Sequence, residues 1–410
     1  MKAVLAICDG LGGRPTDHDG QTCLQAADTP NLDELAERGV SGLLDPVGPG
    51  VRPGSDTSHL SIFGYDPNEF YTGRGVFEAF GIGMDVERGD VCFRTNFATV
   101  DDDLVIQDRR AGRIGEGQDE LEEALQELES PEDGVEVDFK ASTEHRGALV
   151  LKGDDLSGRL SDVDPHETGV KAPEAEAMDG SESANRTADI VNNLVRQSHS
   201  IMEDLSLNER RREEGKPPAN IILPRGAATY PNIPSIEERY GIDGVMVGAG
   251  ALYIGVARAL GLEFRKAKGV TGGADSPIIN KAKKAVEELE NGEDFVFVHM
   301  KGADSCAHDH DDECKIRYLE KVDDVIGYFL KNLDWDESHL ALTGDHTTPI
   351  AYGDHTSDPV PLTINGPNII GDDLEEYSEK AAQKGGMGRF SGDVVPVLFG
   401  FSNWLEKFGE

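Results

Sequence analysis

Basic residues are scarce in this chain. Across 410 residues, 39 lysines and arginines face 78 aspartates and glutamates, giving a formal net charge of −39. Only part of the acidic excess sits in runs (Asp101–Asp103, Glu116 to Glu129, Asp372 to Glu376), and the rest is spread along the whole chain. A surface without a positive footprint excludes a binder of nucleic acid or of anionic membranes. The even spread excludes an acidic tail on an otherwise ordinary body. Such a composition is expected of a salt-adapted, halophile-like surface.

Cysteine is also sparse. The five residues Cys8, Cys23, Cys92, Cys306 and Cys314 are odd in number and form no C-x-x-C pair, so a disulfide framework or a structural zinc site has little support. A reducing cytoplasm is the expected compartment. No apolar stretch approaches a membrane-spanning length, and the chain opens directly on the strand-like Lys2 to Cys8 without a charged leader region; a soluble, non-exported protein is expected. The sequon Asn185-Arg-Thr187 is a match by pattern only. Glycines 248, 250 and 255 do not make G-x-G-x-x-G, which excludes a dinucleotide fold at that point. There is no internal repeat.

What is present is an alternation of apolar runs with polar strand ends. The length predicts two to three domains. The runs Ala3 to Ile7, Glu293 to Met300 and His339 to Thr343 read as buried parallel strands, and each empties into an acidic or acidic-plus-histidine cluster: Asp9, then Asp304 with His308, then Asp345-His346, with His355 beyond. In one parallel sheet those ends share an edge, where ligands bind in open α/β folds. Thr29, Pro30 and Gly39 bracket a helix, and Val394 to Phe399 reads as a last strand. From Gly75 the rhythm becomes irregular, with strands at Gly89–Val100, Val135–Phe139, Gly147–Leu151 and Ala219–Leu223 and helices near Gln118–Glu129 and Ala184–Leu205. No residue of the polar clusters falls there. The expected architecture is α/β: a mostly parallel sheet domain over 1–74 and 248–410, with an α+β domain, 75–247, inserted.

Pro53-Gly-Ser-Asp-Thr-Ser-His59 places Ser55 in a glycine-led turn beside Asp56 and His59. Taken singly, each feature has an ordinary reading: Asp9 as a helix cap, Asp304 and His308 as a turn residue and a surface histidine, Ser55 as a turn. Taken jointly, Asp9, Asp304, His308, Asp345, His346 and His355 are the carboxylate and imidazole set that two divalent ions require. A serine hydroxyl at their centre can become a nucleophile near neutral pH. A phosphomonoester hydrolase and an acidic cation-binding module are the competing readings, and the histidines argue against the second, since calcium sites use oxygen ligands.

The order Asp9, Gly-Ser55-Asp-Thr-Ser-His59, Asp304-x-x-x-His308, Thr343-Gly-Asp345-His346 and His355-Thr-Ser-Asp-Pro-Val-Pro361 resembles the alkaline-phosphatase superfamily. More narrowly it resembles the archaeal type of cofactor-independent phosphoglycerate mutase family. The likeness extends over Tyr71-Thr-Gly-Arg-Gly-Val-Phe-Glu78, Asp108 to Ile114, Ser161 to Gly169 and Arg225-Gly-Ala. The resemblance implies two divalent ions, usually manganese, with magnesium, cobalt or zinc as alternatives. Asp304, His308 and His355 would hold one, and Asp9, Ser55, Asp345 and His346 the other, with His59 assisting near the phosphate. It further implies that Ser55 takes the phosphate from 3-phosphoglycerate and returns it to the 2-hydroxyl while the inserted domain closes over the glycerate, without 2,3-bisphosphoglycerate. The partner is thus a small molecule, neither nucleic acid nor membrane.

The chain departs from the bacterial long form in two places. That form has Asn-Ser-Glu where this chain has Gly54-Ser-Asp56, and the region Gly269 to Ser276 offers no counterpart of its phosphate-binding lysine. A substrate with a phosphate and a carboxylate calls for guanidinium forks, and Arg109, Arg110, Arg113 and Arg225 are the candidates. Surface ion pairing in a very acidic protein is the alternative.

Overall fold

The computed structural model describes residues 1–407 and 409. The chain forms two compact units, one of Met1–Tyr71 with Pro234–Glu410 and the other of Thr72–Ile233. The expected boundary at 247/248 falls inside the first unit, because the strand Gly244–Val247 pairs in parallel with Phe295–Met300. Its four residues lack any local sign of their partner, which lies about fifty residues on.

The first unit is built on an eight-stranded sheet. Five strands at its centre and one edge run parallel, in the order Ser338–Gly344, Lys2–Cys8, Phe295–Met300, Gly244–Val247 and Glu263–Arg265. Val360–Asn365 runs antiparallel to both its neighbours, Ser338–Gly344 and Val40–Asp45, and Gly388–Ser391, parallel to Val40–Asp45, closes the other edge. The central strands read as unbroken apolar runs because both faces are covered. Val4, Ala6 and Cys8 pack with Val322, Ile326 and Phe329 of the helix Asp312–Asn332. Phe63 and Phe399 meet Phe297 and Phe295 edge to face. Register then positions the site. Cys8 pairs with Met300 on one side and Gly344 on the other, so Asp9, Lys301 and Asp345 all begin one step beyond the same edge.

Two expectations are corrected. Val394–Phe401 is a helix, not a strand. A short apolar run does not distinguish the two by period, and Pro396, which would break a ladder, sits in the first helical turn, where its missing N–H is not needed. Cys306 and Cys314 are joined as a disulfide. Their eight-residue separation spans the end of the helix Gly302–His308 and the start of the helix Asp312–Asn332, a turn that brings the two Cα atoms to 5.5 Å. Cys8, Cys23 and Cys92 are free and buried.

The second unit is α+β. Its five-stranded antiparallel sheet is centred on Val91–Val100, which pairs with Arg146–Lys152 and Ile221–Thr229. The helix Glu182–Glu203 buries Ile190, Val191 and Leu194 in the same core as Phe97, Leu149 and Leu223.

Candidate active site

Eight sequence-predicted residues of the first unit gather at the carboxyl edge of its sheet. Asp9 and Asp304 are tied by a backbone bond from Asp304 N–H to the Asp9 carbonyl (2.9 Å). Ser55 is the first residue of the eight-residue helix Ser55–Ile62, with extended Gly54 as its cap; the expected turn is thus a helix start. Its Oγ lies 3.3 Å from His346 Nε2. The two other hydroxyls of that turn are committed, since Thr57 Oγ1 and Ser58 Oγ both donate to the Gly54 carbonyl.

The ligand candidates share one pattern: in each, one heteroatom is anchored and the other faces the cluster. Asp345 Oδ1 accepts from Gly10 N–H (3.1 Å), and Asp304 Oδ2 accepts from Lys301 (2.8 Å). Asp9 Oδ2 accepts from the Tyr253 hydroxyl (2.5 Å). The opposite oxygens, Asp9 Oδ1, Asp304 Oδ1 and Asp345 Oδ2, are buried without a hydrogen-bond partner. The histidines repeat this. His308 and His355 each turn Nδ1 to a backbone carbonyl, of Gly353 and Pro53, and His346 turns Nδ1 to the Thr348 hydroxyl. An Nδ1–H donated to a carbonyl leaves the Nε2 lone pair facing inward, the second-coordination arrangement of metal-binding histidines.

The free atoms converge. His346 Nε2 lies 3.3 Å from both Asp9 Oδ1 and Asp345 Oδ2, while His308 and His355 Nε2 lie 3.1 and 3.4 Å from Asp304 Oδ1. Asp9, Asp345 and His346 form one group able to hold a cation. Asp304 stands with His346 and His355 in a second, and His308 with His355 and Asp354 in a third. Lone pairs aimed at buried carboxylate oxygens repel unless a cation or proton lies between them. The donor set therefore fits divalent metal. The crowding of charge is felt by both kinds of group: Asp304 raises His308 to about 9, while burial and the charges of Asp9 and Asp304 push Asp345 well above the usual carboxylate range. Against burial, Lys301 and His346 hold Asp9 below it.

His59 is fully buried, its Nδ1–H donates to the Ser55 carbonyl at 2.6 Å, and burial lowers its pKa to about 4. Lys301 and Tyr253 were not among the sequence candidates. Lys301 had a visible signal, being the first residue past a cluster-bearing strand. Tyr253, on the helix Ala251–Ala259, had none.

The four arginine candidates lie in the second unit. Arg109 forks onto Asp164 with contacts of 2.6 and 2.8 Å. Arg225 Nε is 3.8 Å from the same carboxylate and has no hydrogen-bond partner. Arg225 pairs across the sheet with Arg94, whose Nε is likewise buried and unpartnered and whose pKa burial lowers to about 10. Arg110 and Arg113 are exposed. With Arg146 and Arg94 they add to burial in lowering His145 to about 4. Arg94 escaped the sequence reading because only strand pairing brings it beside Arg225, and Asp164 and His145 because they lie in connecting segments far from the predicted arginines in sequence.

Fold and donor set define a class, the metal-dependent α/β enzymes. Residues 36–208 match the family profile described as 2,3-bisphosphoglycerate-independent phosphoglycerate mutase, and the chain is 46% identical over 410 residues to the Methanocaldococcus jannaschii protein 2,3-bisphosphoglycerate-independent phosphoglycerate mutase 1, covering 100% of this chain and 99% of the relative. The chain belongs to this family. Solved structures share its fold. A protein from Pyrococcus horikoshii superposes with a TM-score of 0.84 at 39% identity, covering 100% of this chain and 99% of the other. The cofactor-independent phosphoglycerate mutase from Thermoplasma acidophilum superposes with a TM-score of 0.72 at 33% identity, covering 98% and 100%.

Proposed function

We propose that the protein interconverts 3-phosphoglycerate and 2-phosphoglycerate, a step of glycolysis and gluconeogenesis, by passing the phosphoryl group through Ser55. The observation that carries the reading is the set of buried, unpartnered carboxylate oxygens and inward-facing imidazole nitrogens around a serine hydroxyl that contacts one of them, His346 Nε2, in a chain related over its full length to enzymes of that name. The allocation is Asp304, His308 and His355 for one divalent ion and Asp9, Ser55, Asp345 and His346 for the other. Manganese is the favoured metal, with magnesium, cobalt or zinc as alternatives. When bound, the ions lower the hydroxyl pKa and neutralise phosphoryl charge.

Ser55 Oγ gives up its proton as it attacks phosphorus, the bond to the C3 oxygen breaks, and that oxygen takes up a proton in exchange. The C2 hydroxyl then gives up its proton as it attacks phosphoserine, and Ser55 Oγ leaves and is reprotonated. No bisphosphoglycerate enters. His59 positions Ser55 by holding its carbonyl. Arg109 and Arg225, with Arg110 and Arg113 nearby, are assigned to the substrate's anionic groups, and the unpartnered Nε of Arg225 supports this. The proposed setting is the cytoplasm; among the described residues no helix is long and apolar enough to cross a membrane. ³¹P NMR on metal-loaded enzyme freed of bisphosphoglycerate tests the reading: 2-phosphoglycerate should accumulate with little inorganic phosphate, whereas phosphate as main product would make the protein a hydrolase.

The charge of −39 supports a second inference, salt adaptation. Like charges destabilise the compact state, and molar salt shortens their reach to about 3 Å. Activity and melting temperature are expected to rise as KCl goes from dilute to molar. A flat or falling dependence would show that the acidity has another cause.

A further inference from the structure

Two of the three clustered carboxylates are tied back by one side chain. Lys301 Nζ lies 2.8 Å from Asp304 Oδ2 and 3.4 Å from Asp9 Oδ2, so a single ammonium spans a residue assigned to each metal site. The Tyr253 hydroxyl, 3.2 Å from that ammonium, donates to the same Asp9 oxygen. Its ring is stacked on fully buried His299 at 3.7 Å, which fixes where the hydroxyl can point. On both carboxylates the oxygen left without a partner is the opposite one, Oδ1. Nothing in the chemistry assigned to Ser55 uses this lysine.

We propose that Lys301, backed by Tyr253, is a positioning residue that makes Asp9 and Asp304 each present a single oxygen to the paired metal sites and so sets the spacing between them. This rests on the two-metal reading above. A carboxylate free to rotate about its Cβ–Cγ bond can offer both oxygens to one ion, and that chelation takes up two coordination positions. An ammonium on Oδ2 leaves only Oδ1, which keeps positions open for Ser55 Oγ and a phosphoryl oxygen. The same charge offsets the repulsion between two buried carboxylates whose main chains are hydrogen-bonded to each other. Loss of a group that orients metal ligands has a characteristic size, about 10- to 100-fold in affinity or activity.

The test uses full-length wild type, Lys301→Met and Lys301→Gln, each loaded with Mn²⁺. Metal equivalents per chain are counted by mass spectrometry, the magnetic coupling of the ions is read by electron paramagnetic resonance, and kcat and KM are measured separately. Wild type should hold two coupled ions about 4 Å apart. Both variants should still hold two, but with an altered or uncoupled spectrum, kcat lower by about 100-fold and KM within about threefold. A lysine that merely supported the fold would lower the melting temperature and leave the coupling unchanged. Variants with the wild-type spectrum and near-normal kcat overturn the proposal. If Lys301→Met does not fold, Lys301→Gln decides by the same criteria. Wild type holding fewer than two ions overturns the two-metal reading and this inference together, whereas two coupled ions in wild type with unaltered variants overturn this inference alone.

Discussion

Replacing Ser55 by alanine is expected to lower mutase turnover by at least about 10⁴-fold, the order of loss seen when a serine nucleophile is removed from a site whose parts act as a unit. The expectation is specific to this residue. Thr57 and Ser58, in the same helical turn, spend their hydroxyls on the Gly54 carbonyl, and only Ser55 Oγ faces the ligand cluster. The carboxylates and imidazoles stay anchored by Gly10, Tyr253, Lys301, Thr348, Gly353 and Pro53, so the variant should fold and bind substrate nearly as wild type does. Calorimetric titration with 3-phosphoglycerate, beside a coupled assay, separates the two properties. Turnover within about tenfold of wild type would show that phosphate does not pass through Ser55.

His308→Ala should remove about one metal equivalent and lower turnover by at least about 10³-fold, because a metal-bound phosphoryl oxygen accounts for several kcal/mol of charge stabilisation and each 1.36 kcal/mol is tenfold. His308 is a favourable residue for this experiment. Its side chain is 41% exposed, so truncation leaves no buried cavity, and its ring contributes through Nε2 beside Asp304 Oδ1 and Nδ1 on the Gly353 carbonyl. Asp9, Asp345 and His346, all fully buried, are expected to keep their ion. Metal analysis after dialysis, with activity measured on the same sample, checks both halves. Two tightly bound ions and near-normal turnover would remove the allocation.

Much of this site could be read from the sequence because of how parallel strands are buried. Covered on both faces, Lys2–Cys8, Phe295–Met300 and Ser338–Gly344 have no polar alternation, so the first acidic residue after each run marks a strand end. Asp9, Asp304 and Asp345-His346 could therefore be placed on one edge before any pairing was known. Val40–Asp45 and Val360–Asn365 went unread because their buried faces are defined by each other, across more than three hundred residues. Val394–Phe401 was misread since six apolar residues in a row suit either structure until the position of Pro396 in the first turn is weighed. The clamp on Asp9 was half hidden: Lys301 follows its strand directly, but Tyr253 reaches Asp9 from a helix 244 positions away in the chain. Cys306 and Cys314 make no paired motif in the sequence, yet the turn between two helices brings them together. In the second unit, Arg109 and Arg225 are candidates by their chemistry alone, while Asp164, which both approach, lies in a connecting segment that only the folded chain brings beside them.

The central claim, that Ser55 carries phosphate between the two hydroxyls of one glycerate, is tested most directly by a crossover experiment. An equimolar mixture of unlabelled 3-phosphoglycerate and substrate carrying ¹³C in the glycerate and ¹⁸O in the non-bridging phosphate oxygens is given to the metal-loaded enzyme, and early product is analysed by mass spectrometry. Molecules of 2-phosphoglycerate that carry both labels or neither are the predicted result. Statistical exchange of labelled phosphate among glycerates, or inorganic phosphate as the main product, would contradict the account.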